Sequence, residues 1–279
     1  MMTNEEMFEE FLSDNEARFS SETKRSYRLS FRQFFSFADI HYTKVKATHI
    51  RAWLSELDEQ GRKQRTIHLK LAAIKSFYRY CLEEQYVKKD PTVTVSSPKI
   101  DDSLPYYLDK RQLAELREHL KKNQRDRAIA EMLYTTGVRI SELLNIRLED
   151  IKWLSKQIWI RKGKGNKERF VLFTTECAAR VTEYIQERNI ESDYLFVNPK
   201  GRPLSRVYIE EIFRDYSKEL GFYVTPHTLR HTFAAHLAEK GMPQSYIQEL
   251  LGHVNINTTR IYTRLNEKAR KKQYDQYQT

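Results

Sequence analysis

The sequence predicts a mainly α-helical protein of two domains: an N-terminal four-helix domain, and a C-terminal mixed domain that is mostly helical with one small antiparallel sheet. Its 279 residues suffice for two domains of the usual size, about 100 to 200 residues each. Apolar residues recur at helical spacing through most of the first 95 positions. Beyond the first 106 positions, helical periods are mixed with two short segments of strand character.

The first domain, residues 1–92, is expected to contain a short helix near residues 4 to 13 and three longer helices. The longer helices follow Ser21, follow Thr48, and run from about Thr66 to Glu83. The last of them carries one apolar stripe at helical spacing, made of Ile67, Leu71, Ile74, Tyr78 and Cys81. Cations elsewhere on these helices are therefore expected at the surface, namely Arg25, Arg28, Arg32, Lys70, Lys75 and Arg79.

Residues 93–106 are expected to form an interdomain linker, because the chain around them contains three prolines and little periodicity. Residues 107–279 then form the second domain, with a tail at 265–279. Helices are predicted over 109–123, 125–136, 139–146, Ser205 to Leu220 and Pro226 to Lys240, and strands over Gln157 to Arg161 and Arg169 to Phe173. The Gly163 to Asn166 turn makes the two strands a β-hairpin.

Composition excludes several classes of protein. Hydrophobic residues make up 40% and charged residues 31% of the chain, which excludes collagen-like and wholly disordered proteins. The two cysteines are too few for a disulfide framework, and no segment has a secretory or membrane-spanning pattern, so a cytoplasmic location is expected. The formal net charge of +10 makes a polyanion, above all nucleic acid, the leading partner class, although many basic proteins are basic for solubility alone.

Two segments combine charge with a defined local geometry. The hairpin tip, Arg161 to Arg169, holds five cations and one anion, which suits a phosphate backbone, but a solvated basic turn is the simpler interpretation of this segment alone. His227 and Arg230 lie three residues apart on the helix opened by Thr225 and Pro226, so both face one side while Leu229, Phe233 and Leu237 face the core. A histidine beside an arginine can act on a phosphate, although such a pair is more often an ordinary surface feature.

Two further segments place single residues at helix ends. Gly137 separates two helices and leaves Arg139 at the start of the second, where an isolated arginine is an ordinary helix-end cation. Gly252 can end a helix that begins near Pro243, and a short helix carrying Tyr262 is predicted after it. His227 and His231 are spaced to chelate zinc, but no HExxH pattern or acidic ligand accompanies them, and we expect no metal there.

Taken together, the segments TGVRISELL, GKGNKER, HTLRHTFAAHL and LGHVNINTTRIY, in this order, resemble the catalytic domain of tyrosine recombinases. This family includes phage integrases and the Xer recombinases that resolve chromosome dimers. The resemblance covers nearly the whole chain, and the N-terminal helices look like the family's core-DNA-binding, SAM-like domain. It implies a site-specific recombinase that cuts and rejoins duplex DNA through a 3′-phosphotyrosyl intermediate, for Xer-like dimer resolution or for integration of a mobile element.

The resemblance also assigns roles to individual residues. It implies that Tyr262 is the nucleophile, that Arg139 and Arg230 clamp the phosphate, and that Lys164 is the hairpin lysine. His227 and His253 are the remaining polar site residues, and Glu142 supports its arginine. Because two arginines can stabilise the charge of the transition state, no metal or other cofactor is expected. The expected DNA contacts add Lys162 and Lys167 to the cations of the first domain.

The resemblance implies double-stranded DNA with a short inverted-repeat core site as the partner, bound by a homo-tetramer, alone or with a second recombinase. The tail is expected to pack on a neighbouring subunit. No further domain is expected before the helical bundle, which implies that the arm-type DNA contacts of larger phage integrases are absent. Two alternatives stay open at this point, a type IB topoisomerase-like nicking and closing enzyme and a non-catalytic DNA-binding accessory protein.

Overall fold

The structure, a computed structural model, describes residues 2–99, 105–161, 168–252 and 274–275. The chain forms two units, Met1–Asp102 and Ser103–Thr279, and their boundary falls inside the segment predicted as the linker. Val95, which the prediction places in the linker, is instead buried in the core of the first unit. Within the described residues, the helices are too short or too polar to cross a membrane.

The first unit is the predicted bundle of four helices. They are α1 (Asn4–Asp14), α2 (Ser21–Ala38), α3 (Ala47–Glu59) and α4 (Gln64–Glu83). Aromatic rings fill the centre of the bundle: the Phe8 and Phe31 rings stack with centroids 4.0 Å apart, and Phe77 meets Phe31 edge to face at 5.1 Å. Such large apolar side chains supply most of the hydrophobic free energy of a small domain.

Helix α4 is buried over a wider face than the predicted stripe. The stripe residues are buried as expected, but Ala73, Phe77 and Tyr80 are buried beside them. The prediction that Lys70 lies on the surface is wrong, because its side chain is only 9% exposed and its amine donates a hydrogen bond to Gln33. Burial lowers the pKa of Lys70, and nearby Arg62 lowers it further. Lys70 flanks the stripe, so packing on both sides of α4 covers its aliphatic stem.

The second unit is mainly helical with a three-stranded antiparallel sheet in the order β1-β2-β3. Its helices are α5 (Lys110–His119), α6 (Gln124–Thr136), α7 (Ile140–Leu143), α8 (Thr175–Glu187), α9 (Arg206–Leu220), α10 (Pro226–Glu239) and α11 (Gln244–Leu251). Its strands are β1 (Ile151–Lys152), β2 (Gln157–Ile160) and β3 (Arg169–Leu172). Ile158 pairs with Val171 on the buried face of the sheet. The turn predicted at the hairpin tip lies outside the described residues.

Several helix ends agree with the sequence prediction. The hydroxyl groups of Ser205 and Thr225 cap the first turns of α9 and α10. Gly252 ends α11 in the left-handed conformation. By contrast, α7 spans four residues where a helix over 139–146 was predicted, and the prediction missed α8 altogether. Helix α8 nevertheless has a helical signature, with Thr174 as its N-cap and buried residues Cys177, Val181 and Tyr184.

Helix α10 is buried on nearly all sides, unlike the one-sided helix that the sequence predicts. Leu229 and Phe233 face the core as expected, but Thr228, Arg230 and Thr232 are buried as well. The reason is that α6, α9 and α11 all pack against α10. A helix surrounded in this way cannot show a single apolar stripe in its sequence.

Gly137 lies where α6, α10 and α11 meet. It ends α6 with φ +60°, a left-handed conformation that side chains other than glycine rarely adopt. A β-carbon at this position would lie 2.5 Å from the ring of Phe233 and 2.9 Å from a methyl group of Leu251. The close packing of these helices therefore requires glycine for its size as well as its conformation.

We expect Gly137→Ala to lower the free energy of unfolding by about 2 to 5 kcal/mol, because left-handed strain and overpacking act together. Gly221→Ala is the matched control, since Gly221 has φ +72° but no atom within 4 Å of the added β-carbon. It should cost only the strain of about 1 to 2 kcal/mol. Urea unfolding of the full chain measures both losses, and equal losses would contradict the packing argument.

Candidate active site

Arg139 is placed by the sharp turn that follows α6. After Gly137 the chain becomes extended at Arg139, which forms the N-cap of α7. Its amide donates to Oε2 of Glu142 at 2.8 Å, and its Nη1 donates to Oε1 of the same carboxylate at 2.8 Å. Its Nη2 donates to the carbonyl oxygen of Gly252 at 3.1 Å. Arg139 is thus held from two sides while its side chain stays 24% exposed.

Arg230 lies in α10 with its side chain buried between two helix ends. Its Nη1 donates to the carbonyl oxygen of Gly137, and its Nη2 donates to that of Leu251 at 2.7 Å. These carbonyl groups belong to the C-termini of α6 and α11, where the helix dipoles concentrate negative partial charge. The two helix ends therefore stabilise the buried guanidinium of Arg230.

Glu142 is the carboxylate shared by two arginines of the site. It is 4% exposed and accepts hydrogen bonds from both Arg139 and Arg169. Burial alone would raise the pKa of Glu142, but the hydrogen bonds and charges of Arg169 and Arg139 outweigh it and lower the pKa to about 2. Because this pKa is lowered, ionised Glu142 adds to the free energy of unfolding. That contribution is complete above the ordinary pKa of 4.5 and is lost only as the pH falls toward about 2.

A groove of about 1220 Å³ brings three of the expected catalytic residues together. Arg139, His227 and Arg230 all line it. His227 is exposed, and its ring centroid lies 4.2 Å from that of His231. The other expected catalytic residues, Lys164, His253 and Tyr262, lie outside the described residues, as do the expected DNA contacts Lys162 and Lys167.

Two groups of residues around this site were not predicted from the sequence. The first is a row on α9 at spacing i, i+4, i+8, i+12 that lines the groove; it consists of Arg206, Glu210, Arg214 and Lys218. That spacing is visible in the sequence as one face of a helix. The second is Arg169, whose link to Glu142 depends on a contact between β3 and α7 that no local pattern predicts.

The predicted basic surface of the first unit is partly neutralised. Arg28 forms a two-point hydrogen-bonded ion pair with Glu9 at 2.8 and 2.7 Å, and Arg32 pairs with Glu5 at 2.6 Å. Two other cations of the expected set, Arg25 and Arg79, are exposed to solvent. Lys75 is half-buried and donates a 3.4 Å hydrogen bond to Ser97. Lys70, the remaining cation of the set, is buried.

The groove suits a phosphate group better than a metal ion. Arg139, Arg230 and His227 line it together with two arginines of α9, and arginine presents several N–H donors in a geometry that matches phosphate oxygens. Among the described residues, no cluster of three or more histidine, cysteine, aspartate or glutamate side chains could hold a metal ion. The arrangement can therefore stabilise negative charge that develops on a phosphoryl group.

Comparison with known proteins points to the same chemistry. Residues 106–269 match the Phage integrase family, and residues 6–85 match the Phage integrase N-terminal SAM-like domain. The chain is 35% identical to tyrosine recombinase XerC of Staphylococcus carnosus (strain TM300), over 92% of this chain and 90% of that protein.

Two solved structures are also similar. The crystal structure of XerA recombinase is 30% identical, with a TM-score of 0.57 and 99% of both chains covered. That of XerH site-specific recombinase bound to palindromic difH substrate, a post-cleavage complex, shares the fold at 22% identity, with a TM-score of 0.77 over 100% of this chain and 86% of that one. The family motifs, the helical N-terminal unit and the arginine-lined groove agree, and the chain belongs to the phage integrase family as a tyrosine recombinase.

Proposed function

We propose that this protein is a site-specific recombinase of the Xer type, which cuts and rejoins duplex DNA through a 3′-phosphotyrosyl intermediate. The observation that carries the proposal is the convergence of Arg139, Arg230 and His227 on one groove. The resemblance of their sequence motifs to those of tyrosine recombinases implies phosphate binding and catalysis for all three. The 35% identity to a curated tyrosine recombinase supports it.

In the proposed reaction, the Tyr262 oxygen attacks the scissile phosphate and displaces the 5′-oxygen of the DNA strand. Arg139 and Arg230 stabilise the negative charge that gathers on the non-bridging oxygens. A phenol has an ordinary pKa of about 10, so nearby cations or a base such as His227 assist loss of its proton. Lys164 donates a proton to the departing 5′-oxygen, and His253 completes the polar site.

The phosphotyrosyl ester retains the energy of the phosphodiester bond. The 5′-hydroxyl of a second strand can therefore attack it, displace Tyr262 and complete strand exchange without ATP. We propose double-stranded DNA with a short inverted-repeat core as the substrate, as the relative crystallised on palindromic DNA suggests. Exchange between two sites requires four active subunits, so we propose a tetramer, made either of this chain alone or of this chain and a second recombinase. In this tetramer the tail at 265–279 contacts a neighbouring subunit. Action on DNA also fits a cytoplasmic location.

The alternatives predict different products from DNA that carries two sites. A type IB topoisomerase-like enzyme relaxes such DNA without exchanging strands, and an accessory protein leaves it intact. The curated relatives, which are named recombinases, do not favour either alternative. Incubation of the protein with two-site DNA, followed by sequencing of the products, should yield recombined junctions, whereas relaxation alone would contradict recombination.

Tyr262→Phe should abolish the covalent protein–DNA adduct because it removes the nucleophilic oxygen. DNA affinity should stay within a few-fold of the wild-type value, since the charged contacts are unchanged. Denaturing electrophoresis of protein mixed with labelled site DNA measures the adduct, and the wild-type adduct should persist in EDTA. An adduct that survives denaturant with the phenylalanine variant would refute Tyr262 as the nucleophile.

Lys164→Ala should slow cleavage by about 10² to 10⁴-fold, the usual contribution of general acid catalysis. A substrate with sulfur at the 5′-bridging position has a leaving group that needs no proton, and it should largely restore the rate. Single-turnover cleavage of the two substrates provides the measurement. Equal slowing on both would assign Lys164 to phosphate binding instead of proton donation.

In the first unit, Arg79→Ala should weaken DNA binding more than Arg32→Ala. Arg79 is exposed, whereas the guanidinium of Arg32 is already held by Glu5 and must leave it to bind a phosphate. If Arg79 contacts a phosphate, its loss should also reduce the slope of log K against log salt by about 1. Binding titrations at several salt concentrations test this difference, and a larger loss with Arg32→Ala would contradict it.

A further inference from the structure

Arg169 connects three elements of the second unit through one side chain. It lies at the start of β3, and its Nη1 and Nη2 each donate to one oxygen of Glu142, on α7, at 2.8 Å. Its Nε donates to the carbonyl oxygen of Leu250, on α11, at 3.3 Å. The side chain of Arg169 is only 12% exposed and that of Glu142 is 2% exposed. Strand β3, α7 and α11 therefore meet at one largely buried guanidinium.

The contact between Arg169 and Glu142 changes the electrostatic environment of Arg139. Glu142 accepts from Arg139 as well as from Arg169, so its negative charge is shared between two guanidinium groups. Without Arg169, the whole carboxylate charge would act on Arg139, because opposite charges at contact distance in a buried site interact strongly. The cluster of Arg139, Glu142 and Arg169 therefore has a net positive charge, whereas an isolated arginine–glutamate pair would be neutral.

Arg169 also contacts the end of α11. Gly252 ends α11 in the left-handed conformation, and a β-carbon there would lie 2.9 Å from Nε and 3.0 Å from Cδ and Cζ of Arg169. The Arg169 side chain thus packs closely against Gly252, whose carbonyl oxygen accepts from Arg139. His253 is the next residue in the sequence. The end of α11 is therefore fixed by the same contacts that hold Arg139.

We propose that Arg169 is a positioning residue for the phosphate clamp, which holds Glu142 and the end of α11 so that Arg139 keeps its orientation and its positive charge toward the groove. This inference rests on the proposed function, in which Arg139 contacts the scissile phosphate. The role requires the planar fork of arginine, because a lysine amine cannot donate in parallel to both oxygens of Glu142 and also to Leu250.

The test compares Arg169→Ala and Arg169→Lys with a matched control, Arg117→Ala. Arg117 forms the same two-point pair, at 2.5 and 2.7 Å, with Glu131 of α6, which is also 2% exposed. Arg117→Ala therefore removes an arginine from a buried glutamate and reproduces a general loss in the free energy of unfolding. Arg169→Lys retains the cation and serves as the variant that folds if the alanine variant does not.

We expect Arg169→Ala to slow formation of the covalent adduct by about 10 to 100-fold, the usual effect of a small misplacement of a catalytic group. The dissociation constant for site DNA should change only a few-fold. The substrate with 5′-bridging sulfur should not restore the rate, since the defect lies in the clamp rather than in proton donation. Arg169→Lys should be intermediate, and Arg117→Ala should cleave bound DNA at the wild-type rate.

Hydrogen exchange of the full chain gives a readout that needs no catalysis. Exchange at residues 244–252 should be faster in both Arg169 variants than in the wild type and in Arg117→Ala, because α11 loses its anchor. The inference would be overturned by unchanged hydrogen exchange at these residues. It would also be overturned if adduct formation by Arg169→Ala were slowed no more than by Arg117→Ala, or if the sulfur substrate fully restored its rate. Failure of the wild type to form any adduct would contradict the proposed function, while the exchange measurement would still decide whether Arg169 anchors α11.

Discussion

The carbonyl groups at the C-termini of α6 and α11 bind the guanidinium groups of Arg139 and Arg230, and the arrangement of the candidate site depends on these hydrogen bonds. A buried guanidinium that lacked partners would cost several kcal/mol. Helix C-termini provide partners without adding a formal negative charge, because their free carbonyl oxygens carry only partial charge. Arg230 is therefore held firmly while it keeps the positive charge that a phosphate needs.

Glu142 balances part of this charge. Two arginines share it, and their hydrogen bonds and charges overcome the effect of burial and hold its pKa at about 2, so it stays ionised throughout the physiological range. The groove consequently keeps an excess of positive charge, and the α9 row adds three cations and Glu210, which pairs with Arg206 at 2.8 Å. Such an excess, fixed in place before a ligand arrives, stabilises developing negative charge without a cost for reorganisation.

The first unit combines an aromatic core with a surface on which some cations are paired. Its aromatic core, in which Phe8, Phe31 and Phe77 are in contact, stabilises the small bundle by burying apolar surface. Its surface charges are only partly available to a ligand, since acidic residues of α1 pair with Arg28 and Arg32. Net charge read from composition therefore overstates the local positive charge on α2.

The sequence by itself determined the helical class, the four helices of the first unit, the β2–β3 pairing and the caps at Ser205, Thr225 and Gly252, because each depends on residues close together in the chain. It also identified the family through motifs that carry Arg139, His227 and Arg230. Only the tertiary structure decided that Lys70 is buried, that α10 is covered on nearly all sides, and that Arg169 shares Glu142 with Arg139. These features arise from contacts between elements far apart in sequence, where packing and shared hydrogen bonds override the local pattern of apolar and charged residues.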